Sequence, residues 1–195
     1  MLTRDLNKIA IALKNAKVVA FPTDTVYGLI CNAFEDRAKR EIYKLKGRSF
    51  NKPLGIFIGK KRDIERYAHV NENAKKLIRK FFPGALTLIL KSKIKGKYIV
   101  KEGNIAIRMP KHKTLLLLLK KISFPLAQTS ANISGKKEAT SYKEVRGYFG
   151  NKVLIYKGKC GKLKPSTIVD LTNGIKVIRE STINKDEILR CLRKN

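Results

Sequence analysis

Four stretches of this sequence collect side chains that can hold an anion or orient a polar substrate. Phe21 to Leu29 reads FPTDTVYGL and sets Thr23, Asp24 and Thr25 in a row just past an apolar run that Pro22 ends. Leu126 to Gly135 reads LAQTSANISG, where Thr129, Ser130, Asn132 and Ser134 crowd hydroxyls and an amide behind another apolar run. Pro165 to Asp170 reads PSTIVD and puts Ser166 and Thr167 at the mouth of a third. Small hydroxyl and amide side chains also build Asx and ST turns, so each stretch alone reads as well as a turn. The fourth stretch, KLKGRSFNKPL, supplies charge through Lys44, Lys46, Arg48 and Lys52. A helix C-terminus favours cations, which accounts for Lys44 and Lys46 but not for Arg48 and Lys52 beyond Gly47. Arg108 in IAIRMP stands inside an apolar run and Arg179 in VIRES at the end of the last strand, and buried arginine is rare without an anion to hold. Two such arginines, a Lys/Arg loop and three hydroxyl-rich loops point to a cleft for a phosphorylated, carboxylate-bearing ligand.

Familiar catalytic signatures are missing. The sequence contains no GxxxxGK[ST], GxGxxG, HExxH or GxSxG, so neither a P-loop, a dinucleotide fingerprint, a zinc protease helix nor a nucleophile elbow is present. The two histidines, His69 and His112, lie among polar and cationic neighbours and read as solvated. Cys31, Cys160 and Cys191 are odd in number and lack CxxC spacing. They read as reduced thiols rather than as a disulfide or zinc set, and no protein-held metal is expected.

The elements that must carry these loops follow from periodicity. Leu6, Ile9, Ala10, Leu13 and Ala16 recur at helical spacing and predict a helix over 3–16 with Thr3 as its cap. Further helices are expected from Asp36 to about Leu45, from Asn73 to Phe82, over 114–122, from Tyr142 to Phe149 behind Ser141, and from Asn184 onward. Short apolar runs predict strands at 18–21, 54–58, 85–90, 105–109, 126–129, 153–156, 168–171 and 176–178. Strands interleaved with helices imply an α/β fold with a mixed, twisted sheet.

Length and charge narrow the class. A chain of 195 residues suits one domain and can bury most of its apolar surface without disulfides. Its longest apolar runs, Leu115 to Leu119 and Ala85 to Leu90, the latter broken by Thr87, fall far short of the roughly 20 residues that span a bilayer. The N-terminus interleaves charges with Ile and Leu, so no signal peptide is expected and the reading is cytoplasmic. Lys and Arg number 44 against 15 Asp and Glu, a net charge of +29. Heat-adapted proteins carry many lysines, but balanced by glutamate. An unbalanced excess repels itself and calls for anionic partners, either polyphosphates or RNA.

FPTDTVYGL, the Lys46-Gly47-Arg48 stretch of KGRSFNKPL, PGALTLIL (Pro83 to Leu90), AIRMP, TSANISG and PSTIVD follow one another in this order. One such motif is a weak signal; six in series, from about Leu6 to Arg179, resemble the YrdC-type threonylcarbamoyl-AMP synthase family in its short, single-domain form. The resemblance implies a twisted mixed sheet flanked by helices and enclosing a large positively charged cavity. It implies condensation of L-threonine, bicarbonate and ATP, with Mg²⁺, into threonylcarbamoyl-AMP and diphosphate, for modification of tRNA. A downstream threonylcarbamoyl transferase complex would take the product, and tRNA or double-stranded RNA is a further expected partner. Matched residue by residue, Thr25, Arg108 and Ser166 would contact threonine. Lys46, Arg48, Lys52, Ser130, Asn132 and Arg179 would line the ATP site, with Lys46 and Arg48 catalytic. Where the family has Arg-x-Gly, this chain reads Arg179-Glu180-Ser181, and a glycine needed for positive φ would be missed there. Phe57 stands where some members have a histidine near the threonine, Ile30 replaces a frequent Gly, and Ser49 a frequent Pro.

Overall fold

The computed structural model describes residues 1–161 and 164–193. Eleven strands form one mixed sheet: β1 (Leu2–Thr3), β2 (Val19–Phe21), β3 (Gly28–Asn32), β4 (Gly55–Phe57), β5 (Leu86–Lys91), β6 (Val100–Lys101), β7 (Asn104–Arg108), β8 (Leu126–Ser130), β9 (Leu154–Tyr156), β10 (Thr167–Asp170) and β11 (Lys176–Arg179). Their spatial order is β1-β9-β2-β3-β8-β4-β7-β5-β10-β11, with β6 alongside β7. The helices are α1 (Leu6–Lys14), α2 (Asp36–Lys46), α3 (Glu72–Phe81), α4 (Lys113–Lys121), α5 (Tyr142–Phe149) and α6 (Lys185–Arg193), with a 3-10 turn at Lys61–Arg66.

Strand alternation divides the apolar residues between two faces. On one face Ala20, Leu29, Cys31, Ile56 and Ala127 pack under α2, α3, α5 and α6. On the other Val19, Phe21, Ile30, Phe57 and Leu126 pack under α1 and α4. The cover from α1 and α4 is partial. Gly55 and Gln128, two residues along from Phe57 and Leu126 on the same face, line an open cleft instead.

Several element boundaries differ from expectation, each for a local reason. The first helix starts at Leu6, capped not by Thr3 but by Asp5, whose Oδ1 accepts from the Asn7 amide at 2.7 Å; Thr3 instead pairs with Tyr156 in β1. Asp36 lies inside α2, which Glu35 precedes without a side-chain cap. Asn71, rather than the region of Asn73, caps α3 by accepting from the Ala74 amide at 2.8 Å. His112 caps α4: its Nδ1 accepts from the Leu115 amide at 3.2 Å, leaving Nε2 to donate to the Lys159 carbonyl. The strand β3 was not expected. All five of its residues are buried, so it lacks the alternation by which half-buried strands are read. The three thiols are free.

The FPTDT loop is pinned from two sides. The Tyr27 hydroxyl donates to the Gly158 carbonyl at 2.8 Å, with the Tyr156 carbonyl 3.0 Å away, and accepts from the Gly158 amide at 3.1 Å. The Gly161 amide donates to the Thr23 carbonyl at 3.0 Å, and any Cβ at Gly161 would collide with the Asp24 carbonyl. Glycine is therefore required at Gly161 by close backbone approach. Burial raises the Tyr27 pKa to about 12, so the hydroxyl keeps its proton. Tyr27→Phe leaves the Gly158 amide unpaired and is expected to lower the unfolding free energy by about 1–3 kcal/mol; urea unfolding indistinguishable from the parent chain would contradict the pinning.

Candidate active site

The cleft has a volume of about 260 Å³. Its floor is the open part of the α1/α4 face, and its walls come from the FPTDT loop, the segment after α2, the start of β10 and the end of β11. Of the residues expected in a site, Thr25, Arg48, Arg108, Ser130, Ser166 and Arg179 line it, whereas Lys46, Lys52 and Asn132 do not.

Arg108 is the most constrained of the cations. It is 4% exposed, at the end of β7, with its guanidinium over the Phe57 ring. Its Nη2 donates to Asp24 Oδ1 at 2.6 Å, its Nη1 to Thr25 Oγ1 at 3.1 Å, and its Nε to the Gly84 carbonyl at 3.0 Å. Three of the five guanidinium hydrogens are thus engaged. Asp24, quoted in the sequence only as part of a polar run, is the buried counter-ion, with a side chain 12% exposed. The Thr23 hydroxyl donates to the Val26 carbonyl at 2.8 Å. The Thr25 hydroxyl, 2.8 Å from Thr23 Oγ1, must therefore donate to it, so Thr25 presents only lone pairs to Arg108 and to the cleft.

Arg48 and Arg179 face the cleft with free hydrogens. The Arg48 Nε donates to the Lys52 carbonyl at 3.0 Å and its Nη2 to the Pro53 carbonyl at 3.1 Å. Arg179 Nε donates to the Ser166 carbonyl at 3.0 Å. Burial pulls all three guanidinium pKa values down; Asp24 opposes this at Arg108, Tyr43 at Arg48 and Glu138 at Arg179, where Arg108 adds its own repulsion. Arginine nevertheless stays charged in proteins, so the cleft holds mutually repelling cations that an anion would relieve.

Ser181 raises no conformational problem. It is absent from the positive-φ residues, and its amide donates to Thr167 Oγ1 at 3.1 Å. Thr167 also accepts from the Ile183 amide at 3.0 Å and donates to the Ile183 carbonyl at 2.6 Å. The turn that follows Arg179 is thereby anchored without a glycine.

Lys46 occupies a different place from the one its charge suggested. It is 2% exposed, and its Nζ donates to the Ser130 carbonyl at 2.6 Å, the Asn132 carbonyl at 2.6 Å and Asn132 Oδ1 at 3.0 Å. Three acceptors use all three ammonium hydrogens. Asn132 Oδ1 also accepts from the Ser130 hydroxyl at 2.7 Å, and its Nδ2 donates to the Ile133 and Lys136 carbonyls. Lys46 and Asn132 therefore shape the TSANISG loop from behind. Lys52 is exposed and meets Arg48 only through its carbonyl. Thr87, whose hydroxyl lies 2.8 Å from that of Ser166, is a lining residue hidden in the sequence by the apolar run around it. Among the described residues no group of three or more His, Cys, Asp or Glu could hold a metal, and no helix is long and apolar enough to cross a membrane.

Known proteins share this chain's sequence pattern and fold. The family model for Sua5, YciO and YrdC, described as telomere recombination, matches residues 11–181. A protein of Methanocaldococcus jannaschii is 44% identical over 181 residues, which is 91% of this chain and 86% of the relative. Proteins named threonylcarbamoyl-AMP synthase from Pyrococcus abyssi and Bacillus subtilis are 40% and 36% identical over 85% and 92% of this chain. The chain spans about half the length of those two, 51% and 54%. Among solved structures, P. abyssi Sua5 complexed with L-threonine superposes with a TM-score of 0.89 at 34% identity, covering 98% of this chain and 59% of that one. Escherichia coli YciO gives 0.85 at 23% identity, over 94% of this chain and 92% of its own, and so shares the fold. In its motifs, its sheet and these matches alike, the chain belongs to the Sua5/YciO/YrdC family.

Proposed function

We propose that this chain is an L-threonylcarbamoyladenylate synthase, a nucleotidyltransferase that joins L-threonine, bicarbonate or CO₂, and ATP and releases diphosphate. The observation that carries the reading is the convergence of Arg48, Arg108 and Arg179, from three separate segments, on one cleft lined with hydroxyls. The names of the P. abyssi and B. subtilis relatives support it, as does the threonine complex of P. abyssi Sua5.

The reaction needs what the cleft offers. The threonine amine adds to the carbon of CO₂ and loses a proton, giving a carbamate. A carbamate oxygen then bonds to the α-phosphorus of ATP while the bond from that phosphorus to the β-phosphate oxygen breaks and diphosphate departs. Nucleophile, electrophile and leaving group are all anionic, so fixed cations lower the barrier, and positioning matters more than a protein nucleophile. In this reading Arg108, Thr25 and Ser166 hold the amino acid, and Arg48, Ser130 and Arg179 hold the phosphates. Lys46 and Asn132 act on the nucleotide through the Ser130 loop that they shape, and Lys52 through the carbonyl that orients Arg48. Among the described residues the lining includes no Asp, Glu, His or Cys side chain and so does not fit a protein-held Mg²⁺.

The product is a mixed anhydride prone to hydrolysis, so a threonylcarbamoyl transferase complex acting on tRNA is its natural user. The net charge of +29 favours RNA as an additional partner held through phosphates; such binding weakens with salt at a slope near −0.9 per duplex contact.

Three outcomes are expected. Diphosphate release from ATP requires both threonine and bicarbonate and drops sharply when serine replaces threonine; release without threonine contradicts the reading. Arg179→Ala, at a side chain on the rim, lowers kcat/KM about 10²–10³-fold with the fold intact, as for loss of one oxyanion donor; undiminished turnover would remove Arg179 from the site. For Lys46, burial and the charge of Arg48 pull the pKa from 10.5 down to about 7, against Glu138. The folded chain then releases this proton before the unfolded chain does. Relative to Lys46→Met, stability should rise with pH between about 7 and 10.5 and stay level below that window. A difference that does not vary with pH would contradict it.

A further inference from the structure

Gln128, on β8, lines the cleft and is the only glutamine in the chain. Among the described residues its amide makes no side-chain hydrogen bond. No fully buried side-chain nitrogen or oxygen there lacks a partner, so the unengaged amide reaches the open space of the cleft. Its neighbours are small. Gln128 pairs with Gly55 across β4, and a Cβ at Gly55 would stand 2.8 Å from Gln128 Nε2 and 3.6 Å from the Ala106 methyl. The glycine thus leaves the space that the Gln128 amide occupies, and a side chain there would displace it.

The other uncharged groups on that floor are already committed. The Thr25 hydroxyl donates to Thr23 and that of Ser130 to Asn132. Thr87 and Ser166 bond one another and keep one proton between them. Thr129 borders the cleft but alternates to the opposite face of β8 from Gln128 and has a single donor hydrogen, and arginines can only donate. Gln128 alone among these brings two free donors together with a free acceptor.

Register places this amide relative to Arg108. Phe57 pairs with Arg108 on one side of β4, and Gly55, two residues back, pairs with Gln128 on the other, so the two backbones stand roughly 7 Å apart along the strands and roughly 10 Å across them, and the Arg108 side chain reaches back over the Phe57 ring of the strand between. A small amino acid whose carboxylate meets the Arg108 guanidinium would lie over the floor of Phe57 and Ala106 and bring its side chain toward Gln128. A hydroxyl at that point, one donor and one acceptor, matches a primary amide.

We propose that Gln128 recognises the side-chain hydroxyl of the amino-acid substrate, accepting its proton at Oε1 or donating to its oxygen from Nε2. This rests on the threonine reading above. Because the chain has one glutamine, side-chain ¹⁵N-glutamine labelling yields a single carboxamide signal in the unmodified protein. L-threonine should shift it, whereas L-valine, its isostere without a hydroxyl, should not. A signal unmoved by threonine, or moved equally by valine, overturns the proposal. In turnover, Gln128→Leu and Gln128→Ala should each cut kcat/KM for threonine about 10- to 100-fold, collapse the threonine-to-valine ratio and leave the ATP KM within about twofold. An unchanged ratio with a raised ATP KM would put the amide on the nucleotide and also overturn it. Parent protein that needs no threonine at all would instead refute the synthase reading, so the two failures are distinguishable.

Discussion

The buried ion pair between Asp24 and Arg108 is the interaction on which the rest of the cleft depends. Desolvating two charges is expensive and is offset only by close geometry and additional hydrogen bonds. Here the side chains are 12% and 5% exposed at 2.6 Å, and Thr25 and the Gly84 carbonyl take two further guanidinium hydrogens. Those partners belong to three different parts of the chain: the loop after β2, the end of β7 and the turn before β5. Removing either member would strand the other charge in the interior, at a cost of about 3–5 kcal/mol. The pair therefore fixes the polar end of the cleft while leaving two guanidinium hydrogens and the Thr25 lone pairs for a ligand.

Around this anchor the molecule stores positive charge that it does not neutralise itself. Arg48 and Arg179 each spend their Nε on a backbone carbonyl, which aims the remaining nitrogens without cancelling charge. The repulsion between Arg179 and Arg108, like that of the whole basic surface, is held in place by the sheet and by backbone contacts. Preorganised dipoles and charges of this kind need no rearrangement when an anionic transition state forms. The loop around Ser130 is fixed by Lys46 and Asn132 from outside the cleft, so precision at the site comes in part from residues that do not touch its open space.

Much of the arrangement was legible in the sequence. The apolar runs marked most strands, and the hydroxyl loops, Arg108 and Arg179 marked most of the lining. What was missed follows from physics that a single sequence does not display. β3 is buried on both faces and shows no alternation. Thr87 sits in an apolar strand and Gln128 among the hydroxyls of LAQTS, and only the pairing of strands far apart in sequence turns them toward the cleft. Lys46 looked like a free cation because lysine at a helix C-terminus is usually solvated; its three acceptors come from a loop more than eighty residues away. Asp24 read as one more turn residue until Arg108, equally distant, supplied its partner. Ser181, a departure from the family pattern, proved harmless because the turn there needs no positive φ.

The reading as a synthase claims that a new bond joins inorganic carbon to the amino acid before the nucleotide is attacked. The most direct test is mass spectrometry of the nucleotide product formed from ATP, L-threonine and ¹³C-bicarbonate. An adduct of AMP and threonine that carries one ¹³C atom, lost when unlabelled bicarbonate is used, is the predicted result. An unlabelled threonyl adenylate, or ADP as the nucleotide product, would contradict the account.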